Sequence, residues 1–221
     1  MSKKECGVLF DLDGTLVDTS LDLIKSIDMS LGNYGLPLCN RKLVEPYISD
    51  GMFEMVKAAV GDLENLQVDI HRLHLQSLKN YKKINGAHSV LFDGIKATID
   101  WLEDRNIPFG IVTNKQSKYS LPLVRSLGLD IYIKSLVSGD TCLNPKPSAE
   151  PMLLAAKELN IDPQNIFFLG DAATDVVAAK NSDMISIAVS WGFHKSAEDV
   201  NDWGASYVIN HPEQLIDIIS N

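Results

Sequence analysis

Cysteine is scarce in this chain. The 221 residues include three cysteines, Cys6, Cys39 and Cys142, which lie far apart and show no metal-site spacing. We therefore expect reduced thiols and no zinc centre. The chain also lacks a signal-peptide pattern at its start, and the two observations together indicate a cytoplasmic protein.

Positive charge and long apolar runs are limited as well. Lys and Arg total 20 against 29 Asp and Glu, which gives a formal net charge of −9, and no basic cluster stands out. A basic patch typically marks a nucleic-acid partner, and an apolar run of about 18 residues marks a membrane span. We therefore expect neither partner. The glycine-rich loops typical of NTP and dinucleotide sites are also missing.

The chain does contain apolar strands that alternate with helices. The pattern predicts strands at 7–10, 109–112, 136–138, 165–169, 185–189 and 207–209. Helical patterns follow most of these strands. This alternation predicts an α/β fold with a Rossmann-like parallel sheet covered by helices on both faces.

Residues 18–88 show only helical patterns, with apolar stripes at 21–31, 52–60 and 66–81. Thr19 and Ser20 are candidate caps of the first of these helices. We therefore predict a core formed by 1–17 and 89–221, with an α-helical cap, 18–88, inserted after the first strand. Hinges are expected at 16–19 and 88–93.

Two aspartates follow the first predicted strand, in the segment Asp11-Leu12-Asp13-Gly14-Thr15. Residues i and i+2 of a strand point to the same side, so both carboxylates are expected at its carboxyl end, where open α/β sheets bind ligands. At about 4 Å and an effective dielectric of roughly 20, their repulsion is on the order of 4 kcal/mol. A bound cation, or a role as nucleophile or as acid/base pair, would explain why two carboxylates lie so close together. A plain Asp-Gly turn that caps the next helix is the alternative.

Polar residues follow the other predicted strands. Thr113 and Asn114 offer donors for phosphate oxygens, or else a capping turn. Lys146 lies between two prolines, which hold it in an extended or turn conformation, or else it is an ordinary solvated lysine. Asp171 and Asp175 flank a helix start and suit a cation or a cap.

Four carboxylates at one sheet edge need a counter-charge. Mg²⁺ is the natural partner because it prefers oxygen ligands and uses one or two carboxylates. His71 and His74 have helical spacing but no third partner, so we expect no metal there.

In their order, these motifs make the chain resemble the haloacid dehalogenase superfamily, in the subgroup with an α-helical cap. The resemblance covers essentially the whole chain. Thr113-Asn114-Lys115, the loop 48–51 and Lys146-Pro147 are similar to phosphoglycolate phosphatases and close sugar-phosphate phosphatases. The segments 88–94 and 202–205 are more similar to N-acetylmuramic acid 6-phosphate phosphatases. Ala172 departs from the pattern, since a hydroxyl residue is frequent there.

The resemblance implies a Mg²⁺-dependent phosphomonoester hydrolase that acts through an aspartyl-phosphate intermediate on a small phosphorylated metabolite. It implies a phosphoglycolate phosphatase-like enzyme, with an N-acetylmuramic acid 6-phosphate or other sugar-phosphate phosphatase as the alternative. Asp11 would be the nucleophile and Asp13 the acid/base. Asp11, Asp171 and the main-chain carbonyl of Asp13 would hold the metal, with Asp175 in support. Thr113, Asn114 and Lys146 would contact the phosphoryl oxygens, and Gly14 would let the backbone approach them.

The cap contributes Asp50 and Gly51 as candidate substrate contacts, with a helix cap and glycine turn as the alternative reading. A phosphomutase and a non-catalytic binding module on the same fold are the competing functions. The sequence favours neither phosphoglycolate nor a sugar phosphate, and it leaves the oligomeric state open.

Overall fold

The structure is a computed structural model that describes residues 6–61, 69–195 and 200–221. None of the helices in these ranges combines the length and the apolar character that crossing a bilayer requires. Leu66, which the helical pattern included, lies outside the described residues.

A parallel sheet forms the larger lobe. Its strands are β1 (Gly7–Phe10), β4 (Phe109–Val112), β5 (Ser135–Val137), β6 (Ile166–Gly170), β7 (Ile185–Val189) and β8 (Tyr207–Ile209). Their spatial order is β5-β4-β1-β6-β7-β8, and every neighbouring pair is parallel. The predicted strands are thereby confirmed to within one residue, and β1 lies between β4 and β6.

Helices cover both faces of the sheet because its strands are apolar on both sides. These helices are α5 (Ile95–Asp104), α6 (Ser117–Ser126), α7 (Ala149–Leu159), α8 (Ala173–Asn181) and α9 (Gln214–Ser220). Val8 and Phe10 pack in one hydrophobic cluster with Leu102 and Leu123, whereas Leu9 packs in another with Met152. The α/β fold with both faces covered is confirmed.

The segment after β1 is helical and has a hydrophobic cluster of its own. It contains α1 (Ser20–Gly32), α2 (Arg41–Val44), α3 (Met52–Val60) and α4 (Ile70–Ile84), and we call residues 20–84 the helical lobe. Ile27, Met55 and Leu73 are fully buried in its cluster. Met55 therefore packs in the core of the helical lobe. Short 3-10 turns lie at Glu45–Tyr47, Leu129–Ile131, Pro163–Asn165 and Val200–Trp203.

A two-stranded ribbon, which the sequence pattern did not predict, lies between the two lobes. β2 (Val17–Asp18) pairs antiparallel with β3 (Val90–Leu91), and these strands occupy the two segments expected to be hinges. Two-residue strands carry too little periodicity for detection from sequence. The predicted domain limit after residue 17 falls within β2 and the one before residue 89 falls just ahead of β3, and both limits stay a prediction.

The start of α1 differs from the expected cap. Thr19 precedes the helix but does not cap it through its side chain. Its hydroxyl instead donates a hydrogen bond of 2.6 Å to Oδ1 of Asp13. The side chain therefore forms a tertiary contact, which the capping interpretation had missed.

Candidate active site

Three neighbouring strands end at one place. Asp11 directly follows β1, Thr113 follows β4, and Asp171 follows β6. Because these strands are parallel and β1 lies between the other two, their carboxyl ends bring the three residues together. All three are buried, with at most 8% of each residue exposed.

Lys146 reaches this point from a loop between β5 and α7. Its Nζ lies 2.6 Å from Oδ1 of Asp11 and 2.7 Å from Oδ1 of Asp175, and it donates to the carbonyl of Val112 at 2.8 Å. The amide of Asn114 holds the loop, because its Oδ1 accepts from the Lys146 N–H and its Nδ2 donates to the Lys146 carbonyl, both at 3.0 Å. The lysine is therefore a fixed, buried charge rather than a solvated one.

Asp11, Asp171 and Asp175 form a compact cluster of buried carboxylates, with one oxygen of each within 4.8 Å of the others. A single ammonium, that of Lys146, contacts two of the three. Burial raises the pKa of Asp11 to about 7 although the Lys146 charge opposes the shift, and burial also raises the pKa of Asp171. The excess negative charge and the all-oxygen donor set fit a hard divalent cation.

Two glycines make room for Asp171. A Cβ on Gly14 would lie 2.0 Å from Oδ2 of Asp171, and Gly14 has a φ of +82°. A Cβ on Gly192 would lie 2.2 Å from the Cβ of Asp171. Oδ2 of Asp171 also accepts from the Phe193 N–H at 2.9 Å and from the Ser49 hydroxyl at 3.2 Å. The carboxylate is thus held by backbone that closes tightly around it, and a side chain from the helical lobe reaches it.

Asp13 lies beside the cluster and is held differently. Nζ of Lys115 lies 2.8 and 3.1 Å from its two carboxylate oxygens, and Thr19 donates to it. Lys115 also lies 4.8 Å from the ring centroid of Tyr81 in α4, which places the ammonium between the two lobes. The Asp13 side chain is not part of the three-carboxylate cluster. Its expected metal contact, through the main-chain carbonyl, stays a prediction.

Asp175 both caps a helix and lies in the carboxylate cluster, and these are the two interpretations that the sequence offered. Its Oδ2 accepts from the Ala172 N–H at 3.1 Å at the start of α8, while its Oδ1 contacts Lys146. Thr113 behaves similarly, because its hydroxyl accepts from the Lys115 N–H at 3.2 Å and the residue also lines the cavity. Each of these two residues therefore stabilises the local backbone and also belongs to the site.

A cavity of about 460 Å³ opens above these groups, between the sheet edge and the helical lobe. It is lined by Asp11, Asp13, Thr113, Asn114, Lys146, Asp171 and Asp175, and from the helical lobe by Asp50, Gly51, Phe53, His74 and Tyr81, among others. Gly51 precedes α3 with a φ of +95°, which agrees with the glycine-turn alternative. The Asp50 carboxylate pairs with Lys195 at 2.7 Å.

The sequence-predicted site residues thus converge, and their individual roles stay predictions. Sequence reasoning had treated Thr19 only as a candidate helix cap, and it used Ser49 and Lys115 only as parts of family-like motifs. The signal for Lys115 was its position directly after Thr113-Asn114 at a strand end. Ser49 carried no comparable signal, because its partner Asp171 is 122 residues away.

Comparison with known proteins places the chain in a family. Residues 8–189 match the family model described as haloacid dehalogenase-like hydrolase. An N-acetylmuramic acid 6-phosphate phosphatase of Pseudomonas putida is 34% identical over 97% of this chain and 96% of its own length. A phosphoglycolate phosphatase of Chromobacterium violaceum is 31% identical over 97% of this chain and 96% of its own length.

A solved structure shows the same fold. The crystal structure described as a predicted phosphoglycolate phosphatase from Haemophilus somnus superposes with a TM-score of 0.86 at 23% identity and covers 99% of both chains. The family model spans residues 8–189, which is most of the chain, and it includes the strand-end residues described above. The chain therefore belongs to the haloacid dehalogenase-like hydrolases.

Proposed function

We propose that this protein is a Mg²⁺-dependent phosphomonoester hydrolase that works through a phosphoryl group carried on Asp11. The observation that carries the proposal is the arrangement of one buried carboxylate, Asp11, between a fixed ammonium and two further carboxylates, with Asp13 close by. A phosphoryl group needs a nucleophile, positive charge for its oxygens and a group that moves protons. Lys146, the carboxylate cluster and Asp13 supply these requirements in one cavity.

In the first step, an Asp11 oxygen attacks phosphorus and the bond from phosphorus to the ester oxygen breaks. The leaving alkoxide takes a proton from Asp13. In the second step, Asp13 takes a proton from water, the water oxygen attacks phosphorus, and the bond to Asp11 breaks to release phosphate. Lys115, which contacts both carboxylate oxygens of Asp13, holds that side chain in place for these proton transfers.

Fixed charges stabilise both displacements. Lys146 lies 2.6 Å from the nucleophile and is positioned to neutralise phosphoryl oxygens, with Thr113 as a neighbouring hydroxyl donor. Asp11, Asp171 and the Asp13 carbonyl would hold Mg²⁺, with Asp175 in support. The ion would supply charge neutralisation on the phosphoryl group.

The relatives suggest two candidate substrate classes, because they are named for N-acetylmuramic acid 6-phosphate and for phosphoglycolate. Their high coverage supports a small phosphorylated metabolite as the substrate of this chain. The experiment is phosphate release from both compounds and from hexose phosphates, with Mg²⁺ and with a chelator, using wild-type protein and Asp11→Asn.

Covalent trapping tests the mechanism separately. With acetyl phosphate, Asp13→Asn is expected to accumulate a phosphoryl adduct on the peptide that contains Asp11, because formation continues while hydrolysis slows. Asp11→Asn is expected to form none, and Asp28→Asn, on the outer part of α1, serves as the folded control. Phosphate release that survives in Asp11→Asn would refute the nucleophile assignment. Conversion of a sugar phosphate to its isomer without net phosphate release would indicate a phosphomutase.

A further inference from the structure

The cavity has two chemically distinct ends. Carboxylates and lysines occupy the end at the sheet, whereas the end at the helical lobe is built largely from carbon surface, including Met52, Phe53, Leu78 and Tyr119. The cavity volume of about 460 Å³ falls in the range of roughly 300–1,000 Å³ typical of pockets for drug-sized ligands. The space at the helical lobe therefore exceeds what a phosphoryl group alone requires.

Phe53 of α3 and His74 of α4 form a fixed corner at this end. Their ring centroids are 5.3 Å apart and the rings are nearly perpendicular, at 79°. On the other side, Phe53 stacks on His71, with centroids 5.3 Å apart and an angle of 28°. Rings held in contact with one another lose little freedom when a ligand packs against them. The corner is therefore a preorganised surface.

The ammonium groups described around the cavity are already paired with carboxylates. Among the described lining residues, both lysines already contact aspartates. Burial, together with the neighbouring His71, lowers the pKa of His74, which disfavours the cationic imidazole. Two further lysines lie outside the lining. Lys195 contacts Asp50, and Lys57, whose Nζ is 5.6 Å from the Phe53 ring centroid, contacts Glu54.

We propose that Phe53 and His74 recognise the leaving group, and that they favour a pyranose ring over a short carboxylic acid. The inference rests on the proposed phosphatase function and names the substrate class of the same site. The carbon face of a sugar ring packs on the Phe53 ring, and the imidazole of His74 exchanges hydrogen bonds with ring hydroxyls or an amide. Phosphoglycolate is a short chain and offers no ring surface for the corner.

The test is kcat/KM for four phosphoesters with the full chain and Mg²⁺. N-acetylmuramic acid 6-phosphate and N-acetylglucosamine 6-phosphate carry a ring, phosphoglycolate carries a short acid, and acetyl phosphate carries neither. The variants are Phe53→Leu, His74→Leu and His74→Gln. Leu75→Ala is the matched control, because Leu75 is on the same helix, is 65% exposed and does not line the cavity.

We expect wild-type kcat/KM to be at least about tenfold higher for a ring-bearing substrate than for phosphoglycolate. Phe53→Leu and His74→Leu are each expected to lower kcat/KM for ring-bearing substrates about tenfold and to change that for acetyl phosphate less than about twofold. His74→Gln, which keeps a hydrogen-bonding group, should retain most of the sugar-phosphate activity, and Leu75→Ala should match wild type.

Each contrary result has its own meaning. A wild-type preference for phosphoglycolate would overturn the substrate class while leaving the phosphatase function intact. Equal losses on acetyl phosphate would overturn the leaving-group role, because the variants would then disturb the reaction end. If no phosphoester is hydrolysed, including acetyl phosphate, the proposed function and this inference both fail.

Discussion

Asp22 provides the sharpest test of how the two lobes are joined. It lies in α1 and is fully buried, and its carboxylate accepts hydrogen bonds from the segment that leads into β3. Its Oδ2 accepts from the N–H of Gly86 at 3.1 Å, from the N–H of Ser89 at 3.0 Å and from the Ser89 hydroxyl at 2.6 Å. Its Oδ1 accepts from Nδ1 of His88 at 2.8 Å and from the His88 N–H at 3.1 Å. One carboxylate therefore holds a whole turn of main chain.

Two substitutions separate the charge from the shape. Asp22→Ala leaves several buried donors without an acceptor, which costs about 3–5 kcal/mol by analogy with breaking a buried ionic contact. Asp22→Asn keeps the shape but replaces one acceptor oxygen with an NH₂ group, which leaves the donors that face this oxygen without an acceptor. The cost is then about 1–3 kcal/mol. Asp28→Asn is the matched control, because Asp28 is on the same helix and accepts a hydrogen bond from the Cys39 N–H at 2.8 Å, and should cost about 1 kcal/mol or less.

The pH dependence of this effect has a definite sign. Burial raises the pKa of Asp22, but the hydrogen bonds from Ser89 and His88 outweigh burial, and the net shift is downward. A carboxyl whose pKa is lowered by folding contributes its stability above its unfolded pKa of about 3.9 and loses it as the pH falls through the folded pKa. The difference between wild type and Asp22→Asn should therefore stay constant above about pH 5 and shrink below about pH 4.

The assay is urea unfolding of wild type and the three variants at several pH values, followed by circular dichroism. Equal destabilisation by Asp22→Asn and Asp28→Asn at pH 7 would refute the reasoning, since it would mean that the buried network contributes no more than a single surface bond. A stability difference that grows on acidification would contradict the direction of the pKa shift.

Three further perturbations address the site. Lys146→Met should lower kcat by about 10²–10³ in a phosphate-release assay, because it removes the ammonium that contacts Asp11, and retained turnover would contradict its role. Lys115→Met should lower kcat for phosphoester hydrolysis more than it raises KM, because Asp13 loses its ion pair, whereas an effect on KM alone would assign Lys115 to ground-state binding. Gly192→Ala should cost about 1–3 kcal/mol in thermal unfolding, because the new Cβ meets Asp171 at 2.2 Å, whereas Gly32→Ala, with nothing within 4 Å, should be neutral or slightly stabilising. A neutral Gly192→Ala would show that Asp171 is loosely held.

The strands were the most predictable part of the fold. β1 could be recognised because four consecutive apolar residues are buried on both faces, and this pattern is local. Asp11 and Asp13 could be paired because strand geometry places i and i+2 together. The β2–β3 ribbon was missed because two-residue strands have no measurable period, and because the helical lobe separates Val17 from its partner Leu91 in the chain.

The assignment of individual contacts in the site required the tertiary structure. The residue types at the strand ends were readable, and so was the expectation that they converge. The sequence did not indicate which aspartate each lysine contacts, because Lys146 and Lys115 both follow strands and either could have faced Asp11. The fold places Lys146 on Asp11 and Lys115 on Asp13, across 135 and 102 residues of chain.

By itself, the sequence determined the parallel sheet, the inserted helices and the strand-end residues, because each depends on periodicity or spacing within a few residues. The tertiary structure alone decided which lysine meets which aspartate, that Asp22 ties α1 to the chain before β3, and that Phe53 and His74 face the cavity. These contacts join elements that are distant in the chain. Their geometry depends on how the two lobes pack, and local sequence patterns do not predict that packing.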